Sequence, residues 1–217
     1  MDAVTRTQLE SLEQAGKLAS PRPLLICDVD EVVLHLVSPF EQVLAERGWE
    51  LRTKSFRLTG NVFHKETGAE ATQDDVWSAL EVLFTEQATR QGPVEGAVEN
   101  LNTLEEVMDV IYLTNLPHDF ADVRREHMRS LGLAQPLVSN TGSKSNAIGR
   151  LKRERTAFID DTPLNLTQTR ETHPDVHVFH FMADETFRSL VDPIDGVEPS
   201  RANWNETADA IRERLLA

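Results

Sequence analysis

Cysteine is nearly absent from this sequence: 217 residues contain one, Cys27. A single thiol excludes a disulfide framework and the paired-cysteine spacing of a zinc finger. A chain of this length buries roughly 70% of its unfolded surface, so it needs no covalent staples. No apolar run approaches the length of a membrane span. The stretch MDAVTRTQLESLEQAGKLAS at the start lacks the apolar centre of a secretion signal. Its Val4, Leu9, Leu12 and Leu18 instead suggest one side of a short amphipathic helix. These absences predict a soluble, cytoplasmic protein. Positive charge is scarce as well, with 22 Lys and Arg against 36 Asp and Glu, a net −14. That argues against a protein that coats nucleic acid. It leaves a phosphorylated small substrate open, because one local cation can reverse the sign of a pocket. There is no internal repeat, and the seven histidines form no HExxH or other metal spacing.

What is present is an alternation of apolar runs and helical patterns. LLIC (24–27), MDVIYLT (108–114), PLVSN (136–140), TAFID (156–160) and VHVFHF (176–181) read as strands. Helices are expected over 119–133, 143–152, 163–172 and 203–216. The first of these is expected to bury Phe120, Val123, His127 or Met128, and Leu131. The last places Trp204, Ala208, Ile211 and Leu215 on one face. Strands alternating with helices of this length predict an α/β fold with a parallel sheet. Residues 36–93 break the rhythm. PFEQVLAERGW looks helical, LRTKSFRLTGNVFHKETG reads as a hairpin about Gly60-Asn61, and QDDVWSALEVLFTEQATRQG reads as a second helix. The expected organisation is a core of residues 1–35 and 94–217 with a small inserted cap at 36–93. Insertions at the carboxyl ends of parallel strands lie over the ligand crevice. In the cap, Arg52 and Lys54 would share a strand face that could meet an anion, or simply face water. Trp77, Leu80, Leu83 and Phe84 are expected to form its core.

The run PLLICDVDEVV passes from buried apolar residues to three acids within four positions, Asp28, Asp30 and Glu31. Carboxylates at the end of a buried strand are costly without compensation. Three further features fall at strand ends or a helix start: Thr114-Asn115, Lys144 and Asp160-Asp161. In an open parallel sheet these ends converge. The acids offer oxygen ligands suited to magnesium, and a hydroxyl and an ammonium suit a phosphoryl group. Each motif alone has a plainer explanation. A DxD also marks glycosyltransferase metal sites or a mere strand end. DDTP starts a helix, with Asp161 or Thr162 as N-cap and Pro163 in its first turn. Lys144 alone reads as a surface lysine after a Ser143 cap, and Thr114-Asn115 before Pro117 as a turn. Cys27 lacks the arginine six residues on that a cysteine phosphatase needs; that position is Val33.

Taken together, LLICDVDEVV, VIYLTN, TGSK and TAFIDD, in that order, resemble the haloacid dehalogenase (HAD) superfamily. The resemblance covers almost the whole chain, with 36–93 as the variable cap. It implies a Rossmannoid three-layer α/β/α sheet and a magnesium-dependent phosphatase acting on a phosphorylated small molecule through an aspartyl-phosphate. Asp28 then corresponds to the nucleophile, and Asp30 to the general acid and later the base. Thr114 and Asn115 correspond to the phosphate-binding segment, and Lys144 to the cation holding phosphate and nucleophile. The Mg²⁺ would be held by the Asp28 carboxylate, the Asp30 carbonyl and Asp160, with Asp161 a direct or water-mediated partner. The family commonly has a small residue after the second Asp. Here Glu31 stands in a turn that either tolerates it or brings an extra carboxylate near the metal.

Other functions are open at this stage. A dehalogenase needs no acid for its leaving halide, so Asp30 favours phosphoryl transfer. A phosphotransferase or mutase would require the cap to seal the site. A receiver-type signalling domain has its acidic pair at the first strand, whereas here the pair follows Lys144. A non-catalytic phospho-ligand-binding protein would be expected to have lost one of these residues, and none is missing. Oligomeric state leaves no mark in the sequence.

Overall fold

The computed structural model describes residues 1–217. Helix α1 (Ala3–Gln14) starts where the Asp2 carboxylate accepts the Thr5 amide, and its inward residues are Thr5 and Leu9. Strand β1 (Leu24–Cys27) follows. The inserted segment comprises α2 (Val37–Glu46), β2 (Trp49–Leu51), β3 (Val62–His64), α3 (Gln73–Thr85) and α4 (Gln87–Arg90). The chain then resumes as α5 (Ala97–Glu105), β4 (Asp109–Thr114), α6 (Ala121–Ser130), β5 (Leu137–Ser139), α7 (Ser145–Leu151) and β6 (Thr156–Asp160). It ends with α8 (Pro163–Thr172), β7 (His177–Phe181), α9 (Glu185–Arg188), β8 (Glu198–Arg201) and α10 (Trp204–Leu216).

Six strands form one parallel sheet in the order β5-β4-β1-β6-β7-β8. The central strand β1 is apolar throughout because both of its faces are covered, whereas the edge strand β8, EPSR, is polar and partly exposed. Alternation divides the strands' side chains between two cores. Leu25, Cys27, Val110, Tyr112, Ala157, Ile159, Phe179 and Phe181 face α5 and α10. Leu24, Ile26, Ile111, Leu113, Phe158 and Val178 face α1, α7 and α8. The parallel sheet is the one expected from the alternating pattern, and the three-layer α/β/α arrangement is the one the family resemblance implies. The inserted segment has its own cluster, centred on Phe40, Val43, Leu44, Val62, Val76 and Leu83. No helix is long and apolar enough to cross a membrane.

Several local expectations need correction. Helix α6 does not bury Val123, which is exposed; its inward residues are Ala121, Arg124, His127 and Met128. In α3 the buried face runs through Val76, Ala79 and Leu83, and Trp77 points outward. The expected second cap helix is two, because α3 ends at Thr85 and α4 begins at Gln87. A capping box of Thr72 and Asp75 fixes the start of α3. The hairpin is real but its strands are three residues each, so Arg52 and Lys54 lie beyond β2 rather than on it. Both cations rest over the Phe63 ring, at 5.0 and 4.8 Å. Leu18 lies past the end of α1. Helix α9 and strand β8 were not expected, since EPSR carries no apolar alternation.

Candidate active site

Parallel strands all end on the same side of the sheet, and β1, β4 and β6 bring Asp28, Thr114 and Asp160 there. Asp28 follows β1 and still pairs its amide with the Ile159 carbonyl at 2.9 Å. Thr114 closes β4 and Asp160 closes β6. Lys144 is the N-cap residue of α7, and its side chain is fully withdrawn from solvent. Its Nζ lies 2.7 Å from Asp28 Oδ1 and 2.7 Å from Asp160 Oδ2. One ammonium therefore joins two carboxylates from adjacent strands.

Asp160 has no uncommitted oxygen. Its Oδ1 accepts the Thr162 amide at 2.9 Å and the Asn165 side-chain amide at 3.0 Å, while Oδ2 holds Lys144. Asn165 also reaches Oδ2 at 3.3 Å. Asp161 is freer, with one bond from the Thr162 hydroxyl at 3.0 Å. Thr162 is the N-cap residue of α8 with Pro163 following, but its side chain does not cap the helix. Ligand atoms of Asp28, Asp160 and Asp161 all lie within 4.8 Å of one another. Burial raises the Asp161 carboxyl well above the ordinary range, with repulsion from Asp160 and Asp28 adding to it. Burial likewise pushes Asp28 up to about 7, although Lys144 opposes the shift. The ammonium of Lys144 is itself held strongly protonated: Asp160 and Asp28 outweigh its own burial. Two carboxyls that resist ionisation side by side suit a divalent cation, which would compensate them.

The Thr114 hydroxyl is buried and has no hydrogen-bond partner. At the end of β4, the strand paired with β1, it offers an oxygen-rich anion a donor from the same end of the sheet. The Asn115 side chain is committed elsewhere: it donates to the Gly142 carbonyl at 2.9 Å and accepts from Asn140 at 2.7 Å. It thereby clamps the loop that carries Lys144, and only its backbone is left to face an anion.

Asp30 stands apart from the acidic cluster. Its Oδ1 lies 3.1 Å from Arg124 Nη1 and accepts from Gln91 Nε2 at 3.0 Å. Neither partner was expected. Arg124 lies in a helix whose few apolar residues suggested a different inward face. The available signal was that so polar a helix cannot cover a sheet with apolar side chains alone. Asn165 was also missed, because in the first turn of α8 it reads as an ordinary polar residue of a helix start.

Glu31 does not extend the acidic cluster. It adopts the left-handed backbone region, φ 58°, and is 1% exposed. Its Oε1 accepts the amides of Leu36 at 2.6 Å and Val37 at 2.7 Å, at the start of α2. Its Oε2 accepts the Asp184 amide at 2.8 Å. The carboxylate is thus consumed in capping a helix and tying it to the segment after β7. His64 serves its own turn, accepting from the Glu66 and Thr67 amides. His118 joins Ser139 and Asp2, away from the acids.

No family model matches the chain, and no curated protein does. Solved structures do. A HAD family hydrolase from Deinococcus radiodurans, with bound phosphate and sodium, is 17% identical over 89% of this chain and 96% of its own, with a TM-score of 0.59. The provisionally assigned HAD hydrolase YfnB of Bacillus subtilis, bound to magnesium, is 12% identical over 88% and 99%, with a TM-score of 0.59. A protein from Lactobacillus delbrueckii subsp. bulgaricus, provisionally assigned as a phosphoglycolate phosphatase, is 14% identical over 88% and 98%, with a TM-score of 0.54. At such identities the similarity establishes the fold, and the chain has the HAD-like fold.

Proposed function

We propose that this chain is a magnesium-dependent phosphomonoesterase in which Asp28 attacks phosphorus and carries the phosphoryl group as an aspartyl-phosphate. The observation that carries this reading is the buried trio Asp28, Lys144 and Asp160 with half-buried Asp161 close to it, together with the unpartnered Thr114 hydroxyl at the end of the neighbouring strand β4. Lys144 holds the attacking carboxylate in place and offers its charge to the phosphoryl oxygens as they gain electron density. Thr114 donates its hydroxyl to one of those oxygens, and the backbone at Asn115 lines the same end of β4. Asp30 gives a proton to the departing oxygen and later takes one from the water that releases the phosphate. The metal would be held by Asp28, Asp161 and the Asp30 carbonyl, with Asp160 fixing Lys144 at its side. When bound it neutralises the clustered acids and the phosphoryl charge.

Hydrolysis of p-nitrophenyl phosphate should therefore need a divalent ion, stop in chelator and disappear in Asp28→Asn. Phosphoryl label from a quenched reaction should sit on Asp28. Full activity in verified metal-free protein, or label on another residue, would sink the assignment. The proposed setting is cytoplasmic, with a phosphorylated small molecule as substrate.

A phosphotransferase or mutase is the second reading. What favours it is low solvent exposure of the central residues. Asp28, Thr114 and Lys144 are all at most 5% exposed, and Phe56 of the inserted segment packs edge-on against Phe187 of the core, with centroids 5.8 Å apart. Exclusion of water lets an alcohol compete as acceptor. Transfer of label to added sugar phosphates, in preference to water, would select this reading.

A further inference from the structure

Arg124 is a guanidinium with no solvent exposure, and Asp30 is the one carboxylate within ion-pair distance of it. Nη1 meets Asp30 as an ion pair without a directed hydrogen bond, and the other two nitrogens have amide partners. Nη2 donates to Gln91 Oε1 at 3.0 Å, and Nε donates to Gln87 Oε1. Gln87 and Gln91 belong to the last stretch of the inserted segment and are both buried. Gln91 returns its amide to Asp30 Oδ1 and to the His35 carbonyl, at 3.0 and 2.9 Å. His127, one turn along α6, holds the Gln91 carbonyl at 2.7 Å. Asp30 Oδ1 is therefore gripped from two directions, by the core helix and by the segment returning from the cap. The Asp30 side chain remains 16% exposed. Burying an arginine to hold one aspartate is expensive, because a desolvated charge needs a complete set of partners.

We propose that Arg124, assisted by Gln91, is a positioning residue for Asp30. It fixes Oδ1 and leaves Oδ2 as the oxygen that exchanges protons with the leaving group and the water. This rests on the phosphatase reading given above. It also means that Asp30→Asn is not a clean probe, since it strips the buried guanidinium of its anion as well as removing an acid.

Two measurements test the proposal together. The first is a double-mutant cycle in urea unfolding, made of Asp30→Asn, Arg124→Gln and the pair. If Asp30 is the counter-ion, the double variant should lose less than the sum of the singles, by roughly tenfold in the unfolding constant. The second compares kcat/KM for ethyl phosphate, whose alkoxide needs a proton, with kcat/KM for p-nitrophenyl phosphate, whose leaving group hardly does. Arg124→Gln should cost roughly 100-fold on the first ester and under tenfold on the second. Arg124→Lys should recover part of the difference. If Arg124→Gln fails to fold, Gln91→Ala removes the other half of the grip and should shift the same ratio in the same direction. A loss equal on both esters, or additive stabilities in the cycle, would make Arg124 a structural residue and overturn the proposal. Wild-type protein that hydrolyses neither ester would overturn the phosphatase reading, and the positioning role of Arg124 with it. The cycle would then still report the ion pair itself.

Discussion

Lys144 shows how one side chain can set the character of a site. It is the only cation shared by Asp28 and Asp160, and all three are buried. Removing one partner from a buried ionic cluster leaves the remaining charges uncompensated and typically costs about 3–5 kcal/mol. Lys144→Met should lose about that much in urea unfolding of the metal-free protein. A loss below about 1 kcal/mol, the range of exposed pairs, would show the lysine to be dispensable to the cluster. Asn165 works one step further out. It donates to both oxygens of Asp160, so Asn165→Ala leaves a buried carboxylate short of a donor. About 1–3 kcal/mol should be lost, with Lys144 less firmly placed. These residues differ in how readable they are. Asp28, Thr114, Lys144 and Asp160 stand at ends of elements that apolar patterning reveals, so their approach could be foreseen. Asn165 and Arg124 lie inside helices and meet the site only through tertiary packing, which local periodicity does not encode.

At the scale of elements, apolar pattern and outcome part company where polar side chains perform the packing. Helix α6 turns Arg124 and His127 inward because Gln87, Gln91 and Asp30 await them. Trp77 points out of α3 because the neighbouring positions, Val76 and Ala79, already fill the small cap interior. The turn after β1 is a further case. Its Glu31 is forced into a backbone region that costs an L-residue about 1–2 kcal/mol. Three amides on its carboxylate offset that cost. Glycine there would relieve the strain but leave the start of α2 uncapped. Both Glu31→Ala and Glu31→Gly lose the three amide bonds, but only glycine relieves the strain, so the glycine variant should be more stable than the alanine one by about 1 kcal/mol. Both should show faster hydrogen exchange at the Leu36, Val37 and Asp184 amides. If Glu31→Gly matched the natural protein in exchange at those amides, the carboxylate would not be what ties α2 to the core.

For the whole molecule, two sets of buried groups pull stability in opposite directions as pH changes. Burial holds His127 and His180 below their ordinary 6.5. The unfolded chain then takes up protons first, so their share of stability is complete above 6.5 and is lost as pH falls below it. Burial holds Asp28, Glu31 and Asp161 above the ordinary carboxylate range. Here the folded chain keeps its protons longer. Stability is greatest at acid pH and declines as pH rises from the ordinary 3.8 of Asp28 to about 7. In chelator the two slopes oppose each other below pH 6.5, and between there and about pH 7 only the carboxyl slope remains, so unfolding free energy should fall with rising pH across that interval. A divalent ion at the proposed site would change the balance by replacing the protons that Asp28 and Asp161 otherwise retain. With magnesium at a hundredfold its Kd, stability at pH 7.5 should rise by about 2.7 kcal/mol. For a chain of this size that is about 5–11 °C in Tm. At pH 5 protons compete with the metal, and the gain should shrink to a fraction of that value. Asp161→Asn should remove the magnesium-dependent part while leaving the histidine slope in place. Thermal melts at both pH values, with magnesium and with chelator, give all the terms. An equal magnesium gain at pH 5 and pH 7.5 would show that the metal does not displace protons from these carboxylates, and the stabilising ion would have to be bound elsewhere on the acidic surface.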